Sequence, residues 1–169
     1  MATAALETLD TFALSQRLGQ ACLARRAFIT AAESCTGGGV ASAITAVAGS
    51  SDYFETGYVT YANAAKTRLL GVPAATLDAH GAVSRETVMA MVAGACAESG
   101  ADLGVAISGV AGPGGGSADK PVGTVWLAWG DTTHQRAERH RFDGDRVAVR
   151  EKAVRMALEG LILRLEDQD

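Results

Sequence analysis

The residues able to do chemistry concentrate between positions 33 and 66. Glu33-Ser34-Cys35-Thr36-Gly37-Gly38-Gly39 comes first, Gly49-Ser50-Ser51 second, and Tyr58-Val59-Thr60-Tyr61-Ala62-Asn63-Ala64-Ala65-Lys66 third. Hydroxyls dominate the first two clusters; an amide and an amine finish the third. Such groups cost free energy when buried without partners. Their density beside the apolar segment Val40 to Ala48 therefore points to a lined pocket. Serine becomes a nucleophile when a base takes its proton, and lysine can be that base. Lys66 stands one helical turn after Asn63, on a stretch otherwise small and apolar. Desolvation there would lower its pKa and leave a neutral amine. The plain alternative is a solvated surface lysine. Ser34, Thr36, Ser50, Ser51, Ser108 and Ser117 are the hydroxyl candidates. Ser34 and Thr36 also suit helix capping, and Ser50 and Ser51 suit a turn. Residue type alone does not choose among them.

Gly109-Val110-Ala111-Gly112-Pro113-Gly114-Gly115-Gly116-Ser117 is the densest glycine stretch. Glycine lets a backbone approach a ligand, and successive N–H groups in such loops bind anions. It is neither a P-loop nor a dinucleotide fingerprint, since no Gly-Lys-Ser/Thr follows and no third glycine stands at 117. Tyr58 and Tyr61, three apart on an extended segment, face opposite sides. One is then free to be core while the other offers a phenol to the site. Arg146, with Arg150 one turn later, suits a phosphate. His80, His134 and His140 are dispersed, with no zinc spacing. Glu33, Asp52 and Glu55 suit a hard cation only in type. No metal and no cofactor is expected.

Alternating helix and strand patterns must position these groups. Residues 9–25 carry helical periodicity. Ala27 to Ala32 reads as a buried strand ending at Glu33, followed by a tight turn and a helix from Gly38 to about Ala46. The N–H groups opening that helix form a natural anion site. A strand is predicted near Glu55 to Thr60, a helix over Ala62 to Leu69 ended by Gly71 and Pro73, and a turn over Ala74 to Leu77. A helix follows from a partial capping box at Ser84 to Ser99. Strands are predicted over Leu103 to Ser108, Val122 to Trp129 and, exposed, Thr132 to Phe142. A last helix spans Arg146 to Leu165. The class is α/β: one layered domain over residues 1–169, a mixed β-sheet covered by helices.

The chain has 169 residues, 48% hydrophobic and 20% charged, which suits one domain with a real core. A net charge of -4 argues against general nucleic-acid binding. No apolar run reaches the roughly 18 residues of a membrane span, and Met1 to Leu14 lacks the basic start of a signal peptide. Cys22, Cys35 and Cys96 form no CxxC pair, which favours free thiols in a reducing cytoplasm.

In order, the motifs run from Ala32-Glu33-Ser34-Cys35-Thr36-Gly37-Gly38 through Gly49-Ser50-Ser51 and Val59-Thr60-Tyr61-Ala62-Asn63-Ala64-Ala65-Lys66 to His80-Gly81-Ala82-Val83-Ser84. Ser108 to Gly115 with Lys120 to Trp126, and then Phe142-Asp143-Gly144-Asp145-Arg146, complete them. From about residue 12 to 165 the chain resembles the CinA C-terminal domain family, the nicotinamide-nucleotide amidohydrolases. Ala64 stands where that family commonly has an acid, and Gly39 lengthens the glycine run. The resemblance implies hydrolysis of the carboxamide of nicotinamide mononucleotide to nicotinate mononucleotide and ammonia, by a stand-alone form without the extra N-terminal domain of longer CinA proteins. It implies a small-molecule substrate, no membrane partner and a homo-oligomer.

For that chemistry Lys66 is the expected base and Ser34, or Ser50-Ser51, the expected nucleophile, with direct attack by water left open. Tyr61 and Asn63 would orient the pair. Glu33, Thr36, Gly37, Gly38, Ser108, Gly109, Gly112 and Arg146 would bind substrate. Backbone N–H groups near Thr36 to Gly38, or Gly109 to Gly112, would hold the oxyanion or the 5′-phosphate. The alternative is a non-catalytic nucleotide-binding or competence-linked interaction module. Phosphoryl transfer is disfavoured, since the P-loop lysine and metal carboxylates are missing.

Overall fold

The computed structural model describes residues 6–167. In chain order its elements are α1 (Thr11–Arg25), β1 (Ile29–Glu33), α2 (Gly39–Thr45), a single 3-10 turn (Ser50–Asp52), β2 (Phe54–Val59), α3 (Asn63–Leu70), α4 (Ala74–His80), α5 (Arg85–Ser99), β3 (Leu103–Gly109), β4 (Thr124–Gly130), β5 (Gln135–Arg141) and α6 (Arg146–Glu166). The strands form one mixed sheet in the order β2-β1-β3-β4-β5. β1 runs parallel to both neighbours, whereas β4 is antiparallel to β3 and β5.

Strand periodicity divides the core into two layers. Ile29, Ala31, Val105, Ile107, Val125, Leu127 and Trp129 face the side covered by α1 and α6. Ala32, Ala106 and Ala128 face the side covered by α5. Both faces of the central strands are therefore covered, which is why β1 and β3 read as continuous apolar or small runs. α6 comes in close on Trp129 because Gly160 presents no side chain to the indole ring. The Trp129 Nε1–H donates to the Ala157 carbonyl at 3.1 Å.

Helix starts follow their caps. Asp10, Ser84 and Asp145 accept from the N–H groups of Ala13, Thr87 and Ala148. At α5 the capping box lacks its acid, and Thr87 instead donates its hydroxyl to the Gly81 carbonyl at 2.7 Å. One element departs from expectation. The turn predicted over Ala74 to Leu77 is a helix, α4, which runs on to His80. Pro73 stops α3 from continuing but, with φ fixed near the helical value, is well suited to begin the next helix. The exposed strand predicted over 132–142 is β5, at the sheet edge. Cys22, Cys35 and Cys96 are buried and unpaired.

Candidate active site

Parallel strands place their C-terminal ends together, and the loops leaving them enclose a crevice. Here the ends of β1, β2 and β3 meet. The Ser34 N–H donates to the Ile107 carbonyl at 3.0 Å, and the Thr60 N–H to the Glu33 carbonyl at 2.9 Å. The sheet ladders thus extend past the strands and fix Ser34 and Thr60 in place. After Ser34 the chain turns sharply. Gly37 N–H donates to the Ser34 carbonyl at 3.0 Å. Gly37 and Gly38 hold φ of 58° and 101°, a region that disfavours side chains.

α3 brings Lys66 to this turn. Its Nζ lies 3.0 Å from Ser34 Oγ, 2.8 Å from the Thr60 carbonyl and 3.2 Å from the Tyr61 carbonyl. Lys66 is only 1% exposed. Burial pushes its pKa below the ordinary lysine value. A Cys35 thiolate would oppose that shift, but burial raises the Cys35 thiol to about 11, so it is protonated at neutral pH. In the neutral form of the amine, which burial favours, two N–H groups would go to the Thr60 and Tyr61 carbonyls, which can only accept, and the lone pair would face the Ser34 hydroxyl, the arrangement needed to remove its proton.

A cavity of about 300 Å³ opens over this pair, lined by Ser34, Cys35, Tyr61, Lys66, Ser108 and the loop from Gly109 to Gly115. Gly109 and Gly112 keep the loop close, because a side chain at either would press on Val125 or Val122. Arg146 stands at the rim. Its Nη1 donates to the Gly112 carbonyl and its Nη2 to the Tyr61 hydroxyl, each at 3.0 Å. Both partners are neutral, so the guanidinium retains its charge for an anion. A larger cavity, about 720 Å³, lies between α1, α2 and α6, lined in part by Phe12, Thr36, Val147 and Arg150. It holds neither Lys66 nor Ser34, and the chemistry favours the smaller one.

Several residues from the sequence reading stand elsewhere. Ser50 and Ser51 precede β2, which runs parallel to β1 with Phe54 beside Ile29. They therefore sit at the N-terminal ends of these strands, opposite the C-terminal ends where Ser34 and Lys66 meet. Glu33 is buried, and its carboxylate accepts the N–H groups of Val40 at 2.8 Å and Ala41 at 3.1 Å. It thereby fills the anion site expected at the start of α2 and leaves none for substrate. Thr36, Gly37 and Gly38 shape the turn but do not line the smaller cavity. Asn63 begins α3 and is exposed, off the cavity wall. Arg150 donates to the Cys35 and Thr36 carbonyls and not to the cavity. Tyr58 packs into the core on the α5 side while Tyr61 lines the cavity. Tyr61 meets Lys66 through its carbonyl, not its phenol. Among the described residues no group of three or more His, Cys, Asp or Glu side chains could hold a metal. The sequence reading missed the Thr60 carbonyl and the wall residues Ala82 and Val83. A carbonyl acceptor leaves no mark in residue type; Ala82 and Val83 lie within a motif already noted, next to Ser84.

The model of the CinA C-terminal domain matches residues 11–165. The chain is 61% identical over 149 residues to nicotinamide-nucleotide amidohydrolase PncC of Pseudomonas putida, covering 88% of this chain and 93% of that protein. It is 52% identical to the protein of the same name from Escherichia coli K12, covering 88% and 90%. A CinA-like protein of Geobacter sulfurreducens is 54% identical over 134 residues, which make up 79% of this chain but 32% of that one. Among solved structures, the competence damage-inducible protein A of Klebsiella pneumoniae superimposes with a TM-score of 0.91 at 42% identity, covering 95% of this chain and all of that one. With its sheet order, its motifs and these relatives in agreement, this chain belongs to the CinA C-terminal domain family.

Proposed function

We propose that this chain hydrolyses the carboxamide of nicotinamide mononucleotide, giving nicotinate mononucleotide and ammonia. The observation that carries the reading is the Lys66–Ser34 pair, a buried amine 3.0 Å from a hydroxyl on a cavity wall. The names of the PncC relatives supply the substrate. Lys66 Nζ takes the Ser34 proton as Oγ bonds to the amide carbon. The carbonyl π pair moves to oxygen, which N–H donors of the turn stabilise. As the tetrahedral species collapses, the C–N bond breaks and the Lys66 ammonium gives its proton to the departing nitrogen, so ammonia leaves. Water, deprotonated by Lys66, then attacks the resulting ester. Ser34 departs with that proton, and nicotinate mononucleotide is released. Arg146 receives the 5′-phosphate at the rim, and Ser108 and the Gly109 to Gly112 backbone hold the pyridine and ribose.

The reading includes one domain acting on a small molecule in the cytoplasm, assembled as a homo-oligomer. No helix among the described residues is long and apolar enough to cross a membrane. Phe12 on α1 and Val147 on α6, 50% and 59% exposed, support self-association along that face. The test is ammonia release from nicotinamide mononucleotide by pure protein, with and without chelator. Chelator-insensitive release is expected. Binding without release would favour the interaction module.

A further inference from the structure

Arg150 lies on α6, one turn beyond Arg146, and 115 positions from the turn it touches. Its Nε donates to the Cys35 carbonyl at 3.0 Å and its Nη2 to the Thr36 carbonyl at 3.3 Å. Two attachments from one planar guanidinium to successive carbonyls fix direction as well as distance. The fit is close: a Cβ at Gly37 would lie 3.1 Å from Arg150 Nη2, so the arginine packs against bare backbone. No ion pair engages Arg150 among the described residues. Its charge therefore acts on peptide dipoles.

A trans peptide is planar, with its N–H pointing opposite to its C=O. Holding the Cys35 carbonyl toward α6 therefore turns the Thr36 N–H the other way. The next peptide is fixed at both ends, since its carbonyl meets Arg150 and its Gly37 N–H meets the Ser34 carbonyl. The turn is also the wall between two cavities. Arg150 and Thr36 line the larger one, while Ser34 and Cys35 line the one holding Lys66. Away from Arg150 thus means toward Ser34. The Thr36 N–H forms no hydrogen bond within the described residues.

We propose that Arg150 is a positioning residue whose hold on the Cys35 and Thr36 carbonyls aims the Thr36 N–H at the oxyanion formed when Ser34 attacks. This rests on the Ser34–Lys66 reading above. Arg150 does not line the cavity over Ser34 and Lys66, so its loss should slow the chemical step without weakening binding.

The test combines Arg150→Ala and Arg150→Lys with steady-state kinetics on nicotinamide mononucleotide, plus binding of that nucleotide to Ser34→Ala with and without Arg150→Ala. A misaimed oxyanion donor should lower kcat by roughly 10- to 100-fold. KM should stay within about threefold, and the pH below which kcat falls as Lys66 gains its proton should stay put. Arg150→Lys, reaching one carbonyl, should fall between. Arg150→Ala should leave the affinity of the Ser34→Ala protein unchanged. Wild-type kcat in both variants overturns the proposal. So does loss of binding together with turnover, which marks collapse of the site. If Arg150→Ala does not fold, Arg150→Lys decides alone: several-fold lower kcat at constant KM supports the proposal, and wild-type kcat overturns it. Turnover surviving in Ser34→Ala or Lys66→Ala would instead defeat the underlying reading, whatever the Arg150 variants do.

Discussion

Gly94, in the middle of α5, lies so close to the carbonyl of Leu70, the last residue of α3, that a side-chain carbon there would overlap its oxygen. This contact sets where α3 rests, and α3 carries Lys66 one turn before Leu70. Gly94→Ala gains about 1 kcal/mol of helix propensity. It must also displace backbone, and overpacking of this kind costs roughly 1–3 kcal/mol. The expected outcome is net destabilisation in urea unfolding, together with reduced turnover because Lys66 moves away from Ser34.

Glu33 offers a second test, because the sequence alone suggests a ligand and its bonds suggest a strut. Its carboxylate satisfies two N–H groups that open α2. Glu33→Gln sets an amide N–H₂ against one of them. The expected loss is about 1–3 kcal/mol of stability, with KM within about twofold for the folded protein. A large rise in KM at unchanged stability would return Glu33 to the substrate.

The buried amine should also appear in the pH dependence of stability. The unfolded chain keeps its Lys66 proton up to about 10.5, while in the folded chain burial lowers that value. Between the two values the unfolded state binds more protons, so stability rises with pH across that window. Below the window the cost of the buried charge is constant. Burial pushes the Cys35 and Cys96 thiols up to about 11, which gives the opposite slope at high pH. The measurement is therefore the difference between wild type and Lys66→Met. That difference should shift in favour of wild type as pH rises from the lowered folded value toward 10.5. A flat difference throughout would mean that burial does not perturb Lys66.

Much of this was legible in the sequence. The continuous apolar runs of β3 and β4, the partial capping box at Ser84 and the glycines at turns placed nearly every element. Small neighbours around Lys66 suggested a buried amine, and Lys66 is buried. The choice between two hydroxyl loops was not legible, because it depends on strand direction. β2 runs parallel to β1, so Ser50 and Ser51 emerge at the N-terminal ends of the strands, away from Ser34. Arg150 reads in the sequence as a phosphate ligand for a related reason: its actual partners are carbonyls 114 and 115 positions away, which have no sequence signature.

From the same geometry follows a test at those serines. Ser50→Ala and Ser51→Ala, alone or together, should keep kcat/KM within about threefold, because buried Ser50 and exposed Ser51 both lie away from the Lys66–Ser34 pair. A loss beyond about a hundredfold in a folded variant would move the nucleophile to this loop.

The most direct measurement is ammonia release from nicotinamide mononucleotide by wild type, Lys66→Ala and Ser34→Ala, each shown by circular dichroism to be folded. Because nucleophile and base act as a unit, each single variant should lose about a thousandfold or more in kcat. Turnover near the wild-type rate in either folded variant would contradict the pairing of the Lys66 amine with the Ser34 hydroxyl as the source of the chemistry.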